Sequence, residues 1–210
     1  IFAPFAFRKY ERLGSAEEFC FAEDLVCADY SGPLLSALPE FVGFGISMLA
    51  FYLTNGYYGL SLALDQPYTF SYGIGHSAAL LSLSERLTGE SLLDMTYMGK
   101  VSVAGWDHRY YWSTIFSWIA SDVGFPGSLV VIGVVGRLFC RAWMDSIVSK
   151  NDCAAVVFVL LCLLFFYLPA NNQLAQTFDL YFAFIASLIA WKLTGANRRW
   201  RGEAQMRART

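Results

Sequence analysis

The sequence predicts a mainly α-helical fold: a polytopic transmembrane helical bundle carrying a large external helical loop region. Three apolar runs of spanning length, charge that alternates between their connections, and a composition 56% hydrophobic against 15% charged carry that expectation. A hydrocarbon layer of about 30 Å takes roughly 20 residues of helix. The cleanest run, 153–170, reads CAAVVFVLLCLLFFYLPA and holds no charge. The run 123–144 carries Arg137 and Arg141 near one end. The run 174–194 has Asp179 near its start and Lys192 near its finish, both within snorkelling reach of an interface. Residues 123–144, 153–170 and 174–194 are therefore the expected transmembrane helices.

Orientation follows from the basic residues. The tail 195–210 holds five arginines against one glutamate, so the positive-inside rule assigns it to the cytoplasm. Counting back puts loop 171–173 outside, loop 141–152 inside with Lys150, and the whole of 65–122 outside. Upstream, 41–64 is uncharged and expected to be membrane-embedded or re-entrant. A helix from about Pro39 to Leu53 is expected to break near Asn55-Gly56 and a second short helix to follow, since glycine costs a helix up to about 1 kcal/mol relative to alanine. Residues 1–40 form a polar segment with seven acidic and three basic side chains, which leaves its side open.

The chain begins at Ile1 with no signal-peptide pattern and reads as a single membrane domain, a fragment of a longer protein. The net charge of −2 is silent on partners, but no basic domain is present, so no nucleic-acid partner is expected; the expected partner is the lipid bilayer. None of the five cysteines forms a CxxC pair, and no histidine lies at zinc-ligand spacing from one. Cys20 and Cys27 fit a disulfide in an oxidising compartment and equally well two free thiols.

The external segment 65–122 concentrates the chemistry. It holds both histidines, most of the charges of the chain's middle, and a crowd of aromatics. Ser77 to Leu87 has helical periodicity with a Glu85-Arg86 polar edge, and Thr88-Gly-Glu-Ser reads as a turn opening a short helix. Three constellations stand out, each with a plainer alternative. Asn55-Gly-Tyr57-Tyr58-Gly, followed by Tyr72-Gly-Ile-Gly-His76, offers ring faces and hydroxyls for a sugar, or an interfacial aromatic belt. Trp106-Asp-His-Arg109-Tyr-Tyr-Trp112, running on to Asp122, pairs a guanidinium suited to phosphate with an acid in a desolvated setting. Burial there raises a carboxyl pKa unless a cation pairs with it. The alternative is an Asp–Arg ion pair, or Asp122 as a helix cap before Gly-Phe-Pro-Gly. Pro169-Ala-Asn171-Asn172-Gln offers amides to sugar hydroxyls, or builds a tight loop between spans. No GxSxG, HExxH, P-loop or acidic metal pair is present, so any catalysis is expected to need no metal and no cofactor.

Three stretches, LTNGYYGLSLALDQPYTFSYGIGHS (53–77), WSTIFSWIASDVGFPGSL (112–129) and LPANNQ (168–173), occur in that order. Together they resemble the C-terminal half of bacterial oligosaccharide repeat-unit polymerases, the Wzy-type O-antigen polymerase group. The resemblance implies a multi-pass inner-membrane glycosyltransferase of surface polysaccharide biosynthesis (O-antigen, capsule or exopolysaccharide), acting at the periplasmic face. Its substrate is an undecaprenyl-diphosphate-linked oligosaccharide, and a chain-length regulator protein is a further partner. On this reading Arg109, Asp122 and His76 are catalytic: Arg109 as the cation for the leaving diphosphate, and either Asp122 or His76 as the base for the attacking hydroxyl. Arg86, Tyr57, Tyr58, Tyr72, Trp112, Asn171 and Asn172 bind substrate. An O-antigen ligase makes similar demands on its site. A transporter or flippase for lipid-linked sugars expects ionisable groups inside the bundle and paired broken helices.

Overall fold

The computed structural model describes the backbone of residues 20–21, 26–27 and 37–207 and the side chains of 37–195. The fold is mainly helical, as the composition and periodicity predict. Cys20–Phe21 (β1) pairs antiparallel with Val26–Cys27 (β2), with Cys20 opposite Cys27. The expectations for the rest of 1–36, for a Cys20–Cys27 bridge and for the basic side chains of the tail lie outside the described residues.

The first long helix, α1, spans Glu40–Leu64 without interruption, in place of the expected break at Asn55-Gly56. Packing explains the difference. A Cβ at Gly56 would lie 1.8 Å from the Pro169 carbonyl oxygen, so this glycine is where another backbone presses against the helix. The Thr54 hydroxyl donates to the Ala50 carbonyl at 2.8 Å and stays within its own helix. Residues that weaken an isolated helix serve here as a contact surface.

The expected helix after Ser77 is present as α2, Ala78–Thr88. Ser77 caps it by accepting from the Leu80 N–H, and Gly89 ends it in the left-handed conformation. A 3₁₀ turn at Leu93–Met95 leads to the short α3, Tyr97–Val103, capped by Thr96. The side chains of Leu81, Tyr97, Met98, Val101, Trp106 and Trp118 bury one another and fasten this region to the start of the next helix.

That helix, α4, covers Ile115–Ile147 and is bent where Gly124 adopts φ 71°, ψ 167°, two residues before Pro126. The expected span therefore starts at a kink, and Ile115–Val123, read from sequence as loop, is a helical arm. Helix α5 covers Asp152–Phe166 and stops short of residue 170, where Pro169 cannot continue it. The freed Leu168 carbonyl accepts from the Ile115 N–H at 3.0 Å, tying this turn to the start of α4. After a 3₁₀ turn at Gln173–Ala175, α6 runs Phe178–Arg207, beginning four residues later than expected. Asn151 caps α5 through the Cys153 and Ala154 N–H groups and donates to Thr194 of α6.

Helix α5 packs against both α4 and α6 around Ala142, Ala154, Val157, Leu161, Leu164 and Trp191. Their outward faces leave Leu129, Val130, Val134, Val159, Phe182, Ile189 and Leu193 exposed. Ile115–Ile147 and Phe178–Gly195 are long and apolar enough to cross a membrane, whereas α5 is apolar but only 15 residues long.

The packing at α1 makes an opposed pair of expectations. Gly56→Ala should lower the thermal midpoint in detergent, with overpacking costing about 1–3 kcal/mol. Gly45→Ala, on the same helix with nothing within 4 Å of its Cβ, should leave it unchanged or raise it. A Gly56→Ala protein as stable as the wild type would remove the close contact with Pro169 as the reason α1 stays whole.

Candidate functional site

Asp122 sits on the arm of α4, just before the kink, and is only 8% exposed. A carboxylate in that position needs its lone pairs filled. The donors come from the segment Ser71–His76. This turn is closed by the Ile74 N–H on the Ser71 carbonyl at 3.2 Å, with positive φ at both Tyr72 and Gly73. Its shape aims four donors at one carboxylate. Oδ1 accepts from the Ser71 hydroxyl at 2.6 Å and the Gly75 N–H at 2.9 Å. Oδ2 accepts from the His76 N–H at 2.9 Å and meets His76 Nδ1 at 2.8 Å. A Cβ at Gly75 would fall 2.1 Å from Ser71 Oγ, so only glycine lets this backbone come so close. The Tyr68 hydroxyl donates to the Asp122 carbonyl at 2.8 Å.

The compensation expected from a cation is thus supplied by two N–H groups, a hydroxyl and an imidazole. An ionised carboxylate only accepts, so the hydrogen-bond network assigns the proton to His76 Nδ1. In the neutral ring, Nε2 then carries a free lone pair, and it faces the Tyr181 hydroxyl of α6 at 3.3 Å. Asn172 fixes the position of this histidine, its amide donating to the His76 carbonyl at 2.8 Å. Ser77 adds a second tie to the same region by donating to the Ala175 carbonyl at 3.0 Å.

His76, Asp122, Asn172 and Tyr181 line one end of a cavity of about 290 Å³ between α4, α5 and α6. Its other walls are apolar, among them Ile119, Ile132, Leu161, Leu164 and Phe184. A polar end with a Brønsted base opening into an apolar groove suits an amphiphile with a hydroxylic head.

Sequence reasoning selected His76 and Asp122, and the fold brings them into contact. It does not bring Arg109 to them. Arg109 is 71% exposed and forked onto Asp107, with Nε 3.0 Å from both carboxylate oxygens. This is the local ion pair held open as the plainer alternative. Arg109 lines a separate, more polar cavity of about 520 Å³ that also contains Glu85, Asp94, His108 and Trp118. Trp118 and Ile119, neighbours on the arm, line different cavities, so the arm stands between the two.

The expected substrate-binding residues scatter. Arg86 is exposed at the end of α2. Tyr57 is exposed, and Tyr72 is exposed with its ring 5.7 Å from that of Phe70. Tyr58 packs on Trp106 at 4.9 Å, and Trp112 against Tyr52 at 5.2 Å. None of these five lines either cavity. Asn171 lies beside the site, its Oδ1 buried without a partner. Asn172 spends its amide on the His76 backbone. Sequence reasoning missed Tyr181, whose one signal was a hydroxyl among apolar residues, and Ser71. Among the described residues, no group of three or more His, Cys, Asp and Glu side chains is arranged to hold a metal ion.

The second cavity has its own electrostatics. The hydrogen bonds from Arg109 hold the Asp107 carboxyl below its ordinary range. Burial pushes the His108 imidazole below its ordinary value of 6.5, against the upward pull of Asp107. A depressed folded-state value means stability that is full above the unfolded value and lost as pH falls through the folded one. Amide exchange over 102–111, corrected for intrinsic rate, should therefore accelerate on going from about pH 7.5 to about pH 5.5. His108→Gln should flatten that dependence; an unchanged slope would remove the histidine as its source.

Comparison of the chain with protein-family models, with curated proteins and with solved structures finds no match.

Proposed function

We propose that the chain is a membrane glycosyltransferase that polymerises undecaprenyl-diphosphate-linked oligosaccharide units, the activity its motifs resemble. One observation supports it above the others: a His76–Asp122 dyad at the polar end of an apolar groove between α4, α5 and α6. The groove suits a prenyl chain, and the polar end suits the junction of lipid and sugar. Two helices of spanning length and an outward belt of apolar side chains support lipid as the solvent, and the five arginines of the tail 195–210 support a cytoplasmic C-terminus.

The chemistry balances on these residues. His76 Nε2 takes the proton of an acceptor hydroxyl as its oxygen bonds to the anomeric carbon of the donor sugar. The bond from that carbon to the diphosphate oxygen breaks, and its electron pair leaves on the diphosphate. Asp122 stabilises the imidazolium that results, and returning the proton to solvent resets the base. Among the described residues no Lys or Arg lines this cavity.

Purified protein in detergent, supplied with undecaprenyl-diphosphate-linked repeat units, should produce a ladder of longer glycans. His76→Ala and Asp122→Asn should each slow it by about a hundredfold or more. Arg109→Ala should retain most of the activity. A ladder unaffected by either dyad variant, or no ladder from the wild type, would overturn the assignment.

A further inference from the structure

We propose that the Tyr181 hydroxyl is the resting occupant of the seat that an acceptor hydroxyl takes at His76, a cap on the base that substrate must displace. This deepens the transferase reading and rests on it. Three observations lead here. His76 Nδ1 is committed to Asp122 at 2.8 Å, so Nε2 is the ring's one free acceptor. The Tyr181 hydroxyl, an O–H on an sp² carbon with no other hydrogen bond among the described residues, faces that nitrogen at 3.3 Å. The distance lies beyond the usual range for a hydroxyl donor, which makes the bond weak and its loss cheap. Finally, the two rings are tilted neighbours with centroids 5.9 Å apart, and both border the groove beneath the dyad.

A phenol O–H and a sugar O–H present the same donor to a nitrogen lone pair. Tyr181 therefore marks where the acceptor oxygen stands, on the α6 side of the imidazole. Tyr181 acts through His76 and is a positioning residue, absent from the bond-making step.

Carbethoxylation by diethyl pyrocarbonate reads the availability of an imidazole lone pair and needs no turnover, so it answers even if the chain transfers no sugar. His108, in the other cavity, is the internal reference. In Tyr181→Phe, His76 should be modified faster than in the wild type, by up to about fivefold, the worth of one ordinary hydrogen bond and so a ceiling for this long one, with His108 unchanged. Tyr181→Leu should behave in the same way and serves if the phenylalanine protein fails to fold. In the polymerisation assay, Tyr181→Phe should lower the apparent KM for the acceptor while leaving kcat within about twofold. Equal His76 labelling rates in the wild type and in a folded variant would overturn the cap. So would a lower kcat at unchanged KM, which a proton relay through Tyr181 predicts.

Discussion

A buried carboxylate must have its lone pairs answered, and much of this molecule is arranged to answer those of Asp122. The turn at Ser71–His76 supplies four donors, and its left-handed residues Tyr72 and Gly73 exist to aim them. Asn172 and Ser77 then lock that turn to the segment leading into α6. Through one acid, three stretches far apart in sequence become a single rigid unit. The same contact orients the imidazole, so the interaction that satisfies the acid also fixes the ring's free nitrogen.

The arm of α4 is the divider on which the rest is hung. Ile119 and Asp122 look into a groove walled by aliphatic side chains, while Trp118 looks into a cavity of carboxylates, serines and a forked arginine. Charge is therefore segregated by a helix one residue at a time, as a period of 3.6 allows. Arg109 is held on the polar side by its own neighbour, Asp107, and its exposed head owes its orientation to that local pair.

Much of this was legible in the sequence, for reasons that differ residue by residue. Ser77 and Gly89 bracket α2 because capping is local chemistry that a short motif carries. The apolar runs announce α4, α5 and α6 by composition alone. Asn55-Gly56 misled, since intrinsic propensity knows nothing of the Pro169 backbone that packs there. Arg109 misled in another way: the right charge for a diphosphate says nothing of where the fold puts it. His76 and Asp122 could be named as candidates but not paired, because their contact depends on positive φ at a tyrosine, which no periodicity encodes. Tyr181 was hidden by its surroundings, where a tyrosine reads as part of an interfacial belt.

Helix α5, which walls the groove, has one more consequence. Its 15 residues rise about 22 Å, against roughly 30 Å of hydrocarbon in an ordinary bilayer. Its longer partners α4 and α6 suffer no such shortfall. Embedded beside them, α5 would pinch the leaflets toward each other, and acyl tails around the groove would tilt or shorten to follow. A dimple of that kind brings headgroup water deeper at this one spot, beside the wall of the groove.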